Sequence, residues 1–272
     1  MWIGGDLQVN RIGFGTTQLA GPRRAEPTDP AAMYAVLRRA LDLGVNFLDT
    51  ADVYGPSERL IREALYPYPS DLVISTKGGQ LNGPPGRDGR PEHLREVCEA
   101  SLKQLRLEQI PLYFLHYPDP KVPLEDSIGE LVKLQKEGKI RHIGVSNFNV
   151  AQLATARKIA KVVAVQGHQN VLVRESDEMI AICEREHLVF IPWYPLGGRD
   201  SGAMTKADPR LDTMAAVAKE RGISMPRASL AWLLARSPAI LTIFGTSQIS
   251  HLEDDIAAAK VHFTRKEMRR IG

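Results

Sequence analysis

The chain has 272 residues, 43% of them hydrophobic and 25% charged, with a formal net charge of +3; this size suits one large domain, and without clustered Lys and Arg a nucleic-acid partner is not expected. The start, Met1-Trp-Ile-Gly-Gly-Asp6, has no basic stretch followed by an apolar one, and no apolar run approaches the roughly 20 residues a membrane-spanning helix needs. Two lone cysteines, Cys98 and Cys183, fit a reducing compartment, so a cytoplasmic protein without a membrane partner is expected.

In chain order, residues 7–9 around Asn10 predict a small leading hairpin and residues 11–16 the first strand. Helix 31–43, strand 46–50, helix 57–65 and strand 72–77 follow. Helix 91–106, strand 111–116, helix 124–137 and strand 140–145 continue the alternation. The remainder reads as helix 149–160, strand 162–167, helix 175–186, strand 188–193, helices 209–221 and 225–235, strand 240–244 and helix 250–258. Pro91 and Pro209 suit first helical positions. Gly44, Gly138 and Gly222 each stand where a helix wants a left-handed terminal residue. The strands are nearly continuous apolar runs, such as Val162-Val-Ala-Val165, as expected when both sheet faces are buried.

Eight βα units without a break in composition predict one (β/α)8 barrel over residues 1–272, preceded by the hairpin. A doubly wound sheet is the competitor, but Gly13-Phe-Gly15 runs into Thr16-Thr-Gln18 without the third glycine of a dinucleotide-binding turn. Extended loops at 78–90 and 197–207 leave strand ends on the C-terminal face, where barrels of this kind build their sites.

The segment Asp49-Thr-Ala-Asp52-Val-Tyr54-Gly55 follows one strand, Ile74-Ser-Thr-Lys77 ends the next, and Phe114-Leu-His116 ends the one after. Parallel strands bring Asp49, Lys77 and His116 to one rim, with Tyr54 a short loop beyond. A free phenol, with a pKa near 10, is a poor acid at neutral pH. A neighbouring ammonium favours the phenolate, and a carboxylate holds that ammonium in place. Such a phenol can donate a proton to a developing alkoxide, with His116 orienting the carbonyl. Singly, each residue reads as a cap, a packing ring, a solvated amine or a hydrogen-bonded imidazole. Together, on consecutive strand ends, they indicate an enzyme.

In these motifs the chain resembles the aldo-keto reductases, from Gly13-Phe-Gly-Thr16 to about Ala259. The resemblance implies Tyr54 as proton donor, Lys77 as modulator of its pKa, Asp49 as the lysine's partner and His116 as carbonyl orienter. It implies reduction of an aldehyde or ketone with NADPH, or NADH as the alternative donor, and no metal. Gly144-Val-Ser-Asn147 and Gln166 resemble the nicotinamide carboxamide contacts, so Ser146, Asn147 and Gln166 are expected there. Trp193-Tyr-Pro-Leu-Gly197 resembles a segment that sets an aromatic ring, here Trp193, on the nicotinamide, with Leu196 and Gly197 near the pyrophosphate. Thr16, Thr17 and Asp49 join the cofactor set. Gly245, Thr246, Ser247, His251, Asp254 and Asp255 fall where the family binds the 2′-phosphate and adenine. Phe244 departs there from the usual proline, His251 from an arginine and Asp254-Asp255 from Glu-Asn.

Gln18, Tyr117 and the loop around Asn82 are expected to shape the substrate site with Tyr54 and His116. Several stretches, among them Gln18-Leu-Ala-Gly-Pro22 and Pro195-Leu-Gly-Gly198, are similar to bacterial pyridoxal reductases (pyridoxine 4-dehydrogenases). A cofactor-bound regulatory subunit is the alternative of another class, and a metal-dependent barrel hydrolase is weaker because no spaced ligand cluster appears. A monomer or small homo-oligomer taking a small carbonyl substrate is expected.

Overall fold

A computed structural model describes residues 1–84, 86–197 and 208–272. At its start β1 (Trp2–Ile3) pairs antiparallel with β2 (Leu7–Gln8), Trp2 opposite Gln8 and Ile3 opposite Leu7. The hairpin therefore turns at Gly4 and Gly5, both at positive φ, and not around Asn10. Two glycines supply left-handed backbone without a Cβ penalty, whereas Asn10 is spent on long-range bonds to Gly44 O and from its own amide to Asn46 Oδ1. Ile3, Leu7 and Val9 are buried against Phe47, Val73 and Leu112, and so close the N-terminal mouth of a barrel.

That barrel is an eight-stranded parallel sheet among the described residues, in the order β10-β3-β4-β5-β6-β7-β8-β9. Its strands are β3 (Ile12–Gly15), β4 (Phe47–Asp49), β5 (Val73–Gly78), β6 (Ile110–Leu115), β7 (Ile140–Ser146), β8 (Val162–His168), β9 (Val189–Trp193) and β10 (Thr242–Phe244). A parallel bridge between Phe190 and Ile240 and the bonds Phe190 N–Ala239 O and Leu241 N–Phe190 O join the two edges. Helices α1 (Pro30–Asp42), α2 (Ser57–Leu65), α3 (Pro91–Leu105), α4 (Leu124–Lys136), α5 (Val150–Ile159), α6 (Asp177–Arg185), α7 (Pro209–Glu220), α8 (Met225–Arg236) and α9 (Ile249–Ile256) surround it. The expected (β/α)8 barrel is the fold observed.

Local chemistry explains the element ends. Asp29 Oδ1 accepts from Ala32 N ahead of Pro30 and starts α1; Asn149 and Gln152 form a capping box on α5. A last helix, α10 (Arg265–Ile271), was not expected from the sequence, yet Thr264 and Glu267 form the capping box that starts it. Inside the barrel, large rings fill space that small residues vacate. A Cβ on Gly144 would lie 2.4 Å from the Phe114 ring, so Phe114 occupies the centre only because β7 carries glycine there. Arg11 spans from Ile240 O to Leu234 O and Ser237 O, fastening the end of α8 to the first barrel strand's approach. Cys98 and Cys183 are free and buried, and burial pushes both thiols up to about 12.

Candidate active site

Each barrel strand delivers residues to its C-terminal end. Asp49 closes β4 in register with Ser75, and Lys77 lies on β5 in register with Phe114. Lys77 Nζ donates to Asp49 Oδ2 at 2.6 Å and to Thr50 O at 2.7 Å. The other oxygen, Asp49 Oδ1, accepts from Ser75 Oγ at 2.8 Å and from Gln166 Nε2 at 2.6 Å. Lys77 is 1% and Asp49 2% exposed. Two buried charges survive only as a well-bonded pair, and this one leaves neither carboxylate oxygen without a donor.

Burial pulls the Lys77 pKa down, but Asp49 and then Tyr54 outweigh it and the net direction is up. The lysine is therefore an ammonium at any physiological pH, with Nζ 5.0 Å from the centroid of the Tyr54 ring. Across the cavity the His116 ring meets Tyr54 edge to face at 5.9 Å and stacks on Tyr117 at 5.3 Å. Burial, followed by the charges of Lys77 and Arg24, holds His116 well below its ordinary 6.5, so it is a neutral imidazole. Its Nδ1 is buried without a hydrogen-bond partner among the described residues. The four residues expected to carry proton transfer thus meet at one rim.

A cavity of about 270 Å³ opens over them. Thr17, Gln18, Asp49, Tyr54, His116 and Tyr117 line it, as do Ser146, Asn147, Gln166, Trp193, Leu196 and Gly245. Thr16 is buried behind this lining and donates its hydroxyl to Asp49 O at 3.1 Å. Asn147 is heavily committed: Nδ2 donates to His116 O and to Ser146 Oγ, and Oδ1 accepts from the Trp193 indole at 3.2 Å. Its φ of 61° turns the chain sharply after β7. Trp193 has one face stacked on His168 at 4.1 Å and 7°.

The remaining expected contacts are more dispersed. Gly197 donates its amide to Tyr194 O and sits at φ 86°, and most of the long loop expected after it, residues 198–207, lies outside the described residues. Thr246 Oγ1 accepts from Gln248 N, Ser247 is half-buried and His251 is exposed at the surface of α9. Asp254 is engaged by Arg227 Nη2 and by the Ser224 hydroxyl. Asp255 is buried, and burial followed by the neighbouring Asp254 pushes its carboxyl up to about 7.

Sequence reading did not single out Arg24, Gln80 or Tyr194, which also line the cavity. Tyr194 offered a signal as an aromatic beside Trp193; it adopts φ 50° and is 52% exposed. Gln80 offered its place in the 78–90 loop expected at the site, though not as an individual residue, and Arg24 offered none, because a long loop brings it in. Among the described residues no group of three or more His, Cys, Asp or Glu side chains is arranged to hold a metal ion, and no helix is long and apolar enough to cross a membrane.

Known proteins match this architecture along its length. The chain is 42% identical over 266 residues to an uncharacterized oxidoreductase of Schizosaccharomyces pombe, covering 96% of this chain and 85% of that one. It is 38% identical over 275 residues to pyridoxine 4-dehydrogenase of Escherichia coli, covering 96% and 93%. The crystal structure of the thermostable aldo-keto reductase Tm1743 superposes with a TM-score of 0.89 at 25% identity, covering 100% of this chain and 97% of that one. Glycerol dehydrogenase AKR11B4 of Gluconobacter oxydans gives 0.88 at 25%, covering 100% and 93%. The model of the aldo/keto reductase family matches residues 11–272. With that match over a closed barrel whose rim carries Asp49, Tyr54, Lys77 and His116, the chain belongs to the aldo/keto reductase family of oxidoreductases.

Proposed function

We propose that this protein reduces an aldehyde or ketone to the alcohol with NADPH, Tyr54 giving the proton. The observation that carries the reading is the buried Lys77–Asp49 pair beneath the Tyr54 ring. The cavity also suits a nicotinamide carboxamide. Gln166 spends its amide N–H on Asp49, and its Oε1 has no partner among the described residues. Ser146 Oγ accepts from Asn147, which leaves its own hydroxyl hydrogen to donate. One acceptor and one donor, both on nearly fully buried residues, complement an amide's NH2 and C=O. Asn147 acts mainly as a brace between Ser146, His116 and Trp193.

A reduced nicotinamide, when bound, supplies the hydride to the carbonyl carbon. The residues then handle the oxygen. Neutral His116 and the Tyr54 hydroxyl both reach the carbonyl oxygen from the cavity rim and fix its direction. As negative charge develops there, Tyr54 passes its proton to the oxygen. The Lys77 ammonium stabilises the phenolate left behind, and Asp49 keeps that ammonium in place without competing for Tyr54. Proton transfer back from solvent restores the phenol for the next turnover.

Pyridoxal is the first substrate to test, since the Escherichia coli relative is named for pyridoxine oxidation. Steady-state NADPH consumption with a carbonyl panel that includes pyridoxal, together with fluorescence titration by NADPH and NADH, tests the reading. Turnover of at least one carbonyl and tighter binding of NADPH are expected. Absence of both cofactor binding and turnover would end it.

A further inference from the structure

Arg24 stands in the cavity wall outside the set of Asp49, Tyr54, Lys77 and His116. Three loops converge on it. Its Nη1 donates to Val53 O at 2.6 Å, on the loop after β4, and to Asn82 Oδ1 at 2.6 Å, on the loop after β5. Asn82 Nδ2 donates to the same Val53 carbonyl at 3.2 Å, which closes a small ring of bonds over Tyr54. The guanidinium carbon lies 5.3 Å from the centroid of the Tyr54 ring.

The backbone is shaped to put it there. Arg23 and Arg24 have φ of 55° and 62°, a conformation non-glycine residues hold only where their surroundings enforce it. Gly55 supplies part of the enforcement: a Cβ there would lie 2.1 Å from Arg24 O, and its own φ is 60°. The glycine after Tyr54 is thus needed for close approach to the arginine's backbone.

Both hydrogen bonds use Nη1, so Nε and Nη2 have no partner among the described residues. Asp49, the carboxylate in the cavity lining, is committed to Lys77. Asp52 feels Arg24 only as a minor electrostatic influence, and His116 is neutral. A guanidinium anchored by one nitrogen, with no carboxylate partner among the described residues, presents the fork that matches a carboxylate or phosphate. Gln18, Gln80 and Tyr117 line the same cavity and add further hydrogen-bonding groups.

We propose that Arg24 determines substrate specificity, holding an anionic oxygen group, carboxylate or phosphate, on the carbonyl substrate. The inference rests on the carbonyl-reductase reading and narrows it to acidic carbonyl compounds. The fork cannot by itself separate a carboxylate from a phosphate, so the test uses both.

Matched pairs decide it: 4-carboxybenzaldehyde against 4-formylbenzamide, and glyceraldehyde 3-phosphate against glyceraldehyde. The wild type is expected to favour the anionic member of at least one pair in kcat/KM. In Arg24→Gln, which keeps an amide for Val53 and Asn82, that preference is expected to fall about 10- to 100-fold, chiefly through KM. Arg24→Lys is expected to keep part of it. No anion preference in the wild type overturns the proposal. So does an equal loss for both members of a pair, which would make Arg24 only a loop brace or a modulator of Tyr54. Should Arg24→Gln fold poorly, salt answers instead: wild-type KM rises with ionic strength for the anionic member and not for its neutral partner, and equal responses overturn the proposal. Calorimetry of the NADP+ complex with 4-(hydroxymethyl)benzoate and its amide separates the two readings. Anion-selective binding without any turnover removes the reductase reading and leaves Arg24's role standing, while equal affinity removes Arg24's role.

Discussion

Asp49-Thr-Ala-Asp52-Val-Tyr54-Gly55 contains two carboxylates, and Asp52→Asn distinguishes their physical roles. Asp52 accepts from Val53 N at 2.7 Å but forms no ion pair among the described residues. Burial pushes it up most, Val53 offsets part of this, and Glu58 raises it further, to about 7. Its unfolded value is 3.8. Between those values the native chain binds a proton that the unfolded chain has lost, so stability falls as pH rises from about 4 through 7. A gap from 3.8 to about 7, at 1.36 kcal/mol per pH unit, makes this swing ~4 kcal/mol. Asparagine keeps an acceptor for Val53 and does not titrate. The variant should therefore exceed wild type by ~1 kcal/mol near pH 4.5 and by up to ~4 kcal/mol at pH 8, the larger figure being about 5–10 °C in Tm for a chain of this size. Urea unfolding at the two pH values measures the difference, and other titrating groups cancel between variant and parent. A variant equally displaced at both pH values, or less stable at pH 8, would refute the argument. Asp49→Asn should do the opposite, since it leaves the buried Lys77 ammonium without its charge partner at a cost of about 3–5 kcal/mol.

Tyr54→Phe should lower kcat about 10²- to 10⁴-fold while NADPH Kd stays within about threefold, measured by steady-state kinetics and fluorescence titration. Near-normal turnover would remove Tyr54 as donor. Gln166→Ala deletes both the donor to Asp49 Oδ1 and the expected carboxamide acceptor, so NADPH Kd should rise about tenfold, in the range of a lost buried hydrogen bond, and kcat should fall with it. A change confined to one of the two quantities would uncouple Gln166 from the Lys77 site. His116 is held well below 6.5 by burial, so kcat/KM should show no break near 6.5 from this residue. A break there that disappears in His116→Gln would contradict the neutral imidazole. Asp255, pushed up to about 7, gains negative charge as pH rises through that value. The preference for NADPH over NADH in Kd should then shrink from pH 6 to 8, and Asp255→Asn should abolish the trend. An unchanged trend in the variant would separate Asp255 from the 2′-phosphate.

The proposed chemistry was legible because its residues stand at strand ends. A parallel barrel fixes where Asp49, Lys77 and His116 emerge once the strands are recognised, and the strands announce themselves as apolar runs. Side-chain engagement across the fold was not legible. Asp254 is expected by position at the adenine end, yet Ser224 and Arg227 at the start of a neighbouring helix take its carboxylate. Trp193 was readable as a strand-terminal ring, but its clamp between His168 and Asn147 depends on strands β7 and β8 arriving beside it. Arg24 had no signature at all. It is the ninth residue beyond β3, and only the left-handed turn at Arg23–Arg24 against Gly55 brings it over Tyr54. Strand registry is cooperative and pins every residue on a strand at once, whereas each loop residue is placed by its own few bonds. Reaction type therefore follows from the strands, while substrate choice lies in contacts such as Arg24–Val53–Asn82 that could change without disturbing Lys77, Asp49 or the barrel beneath them.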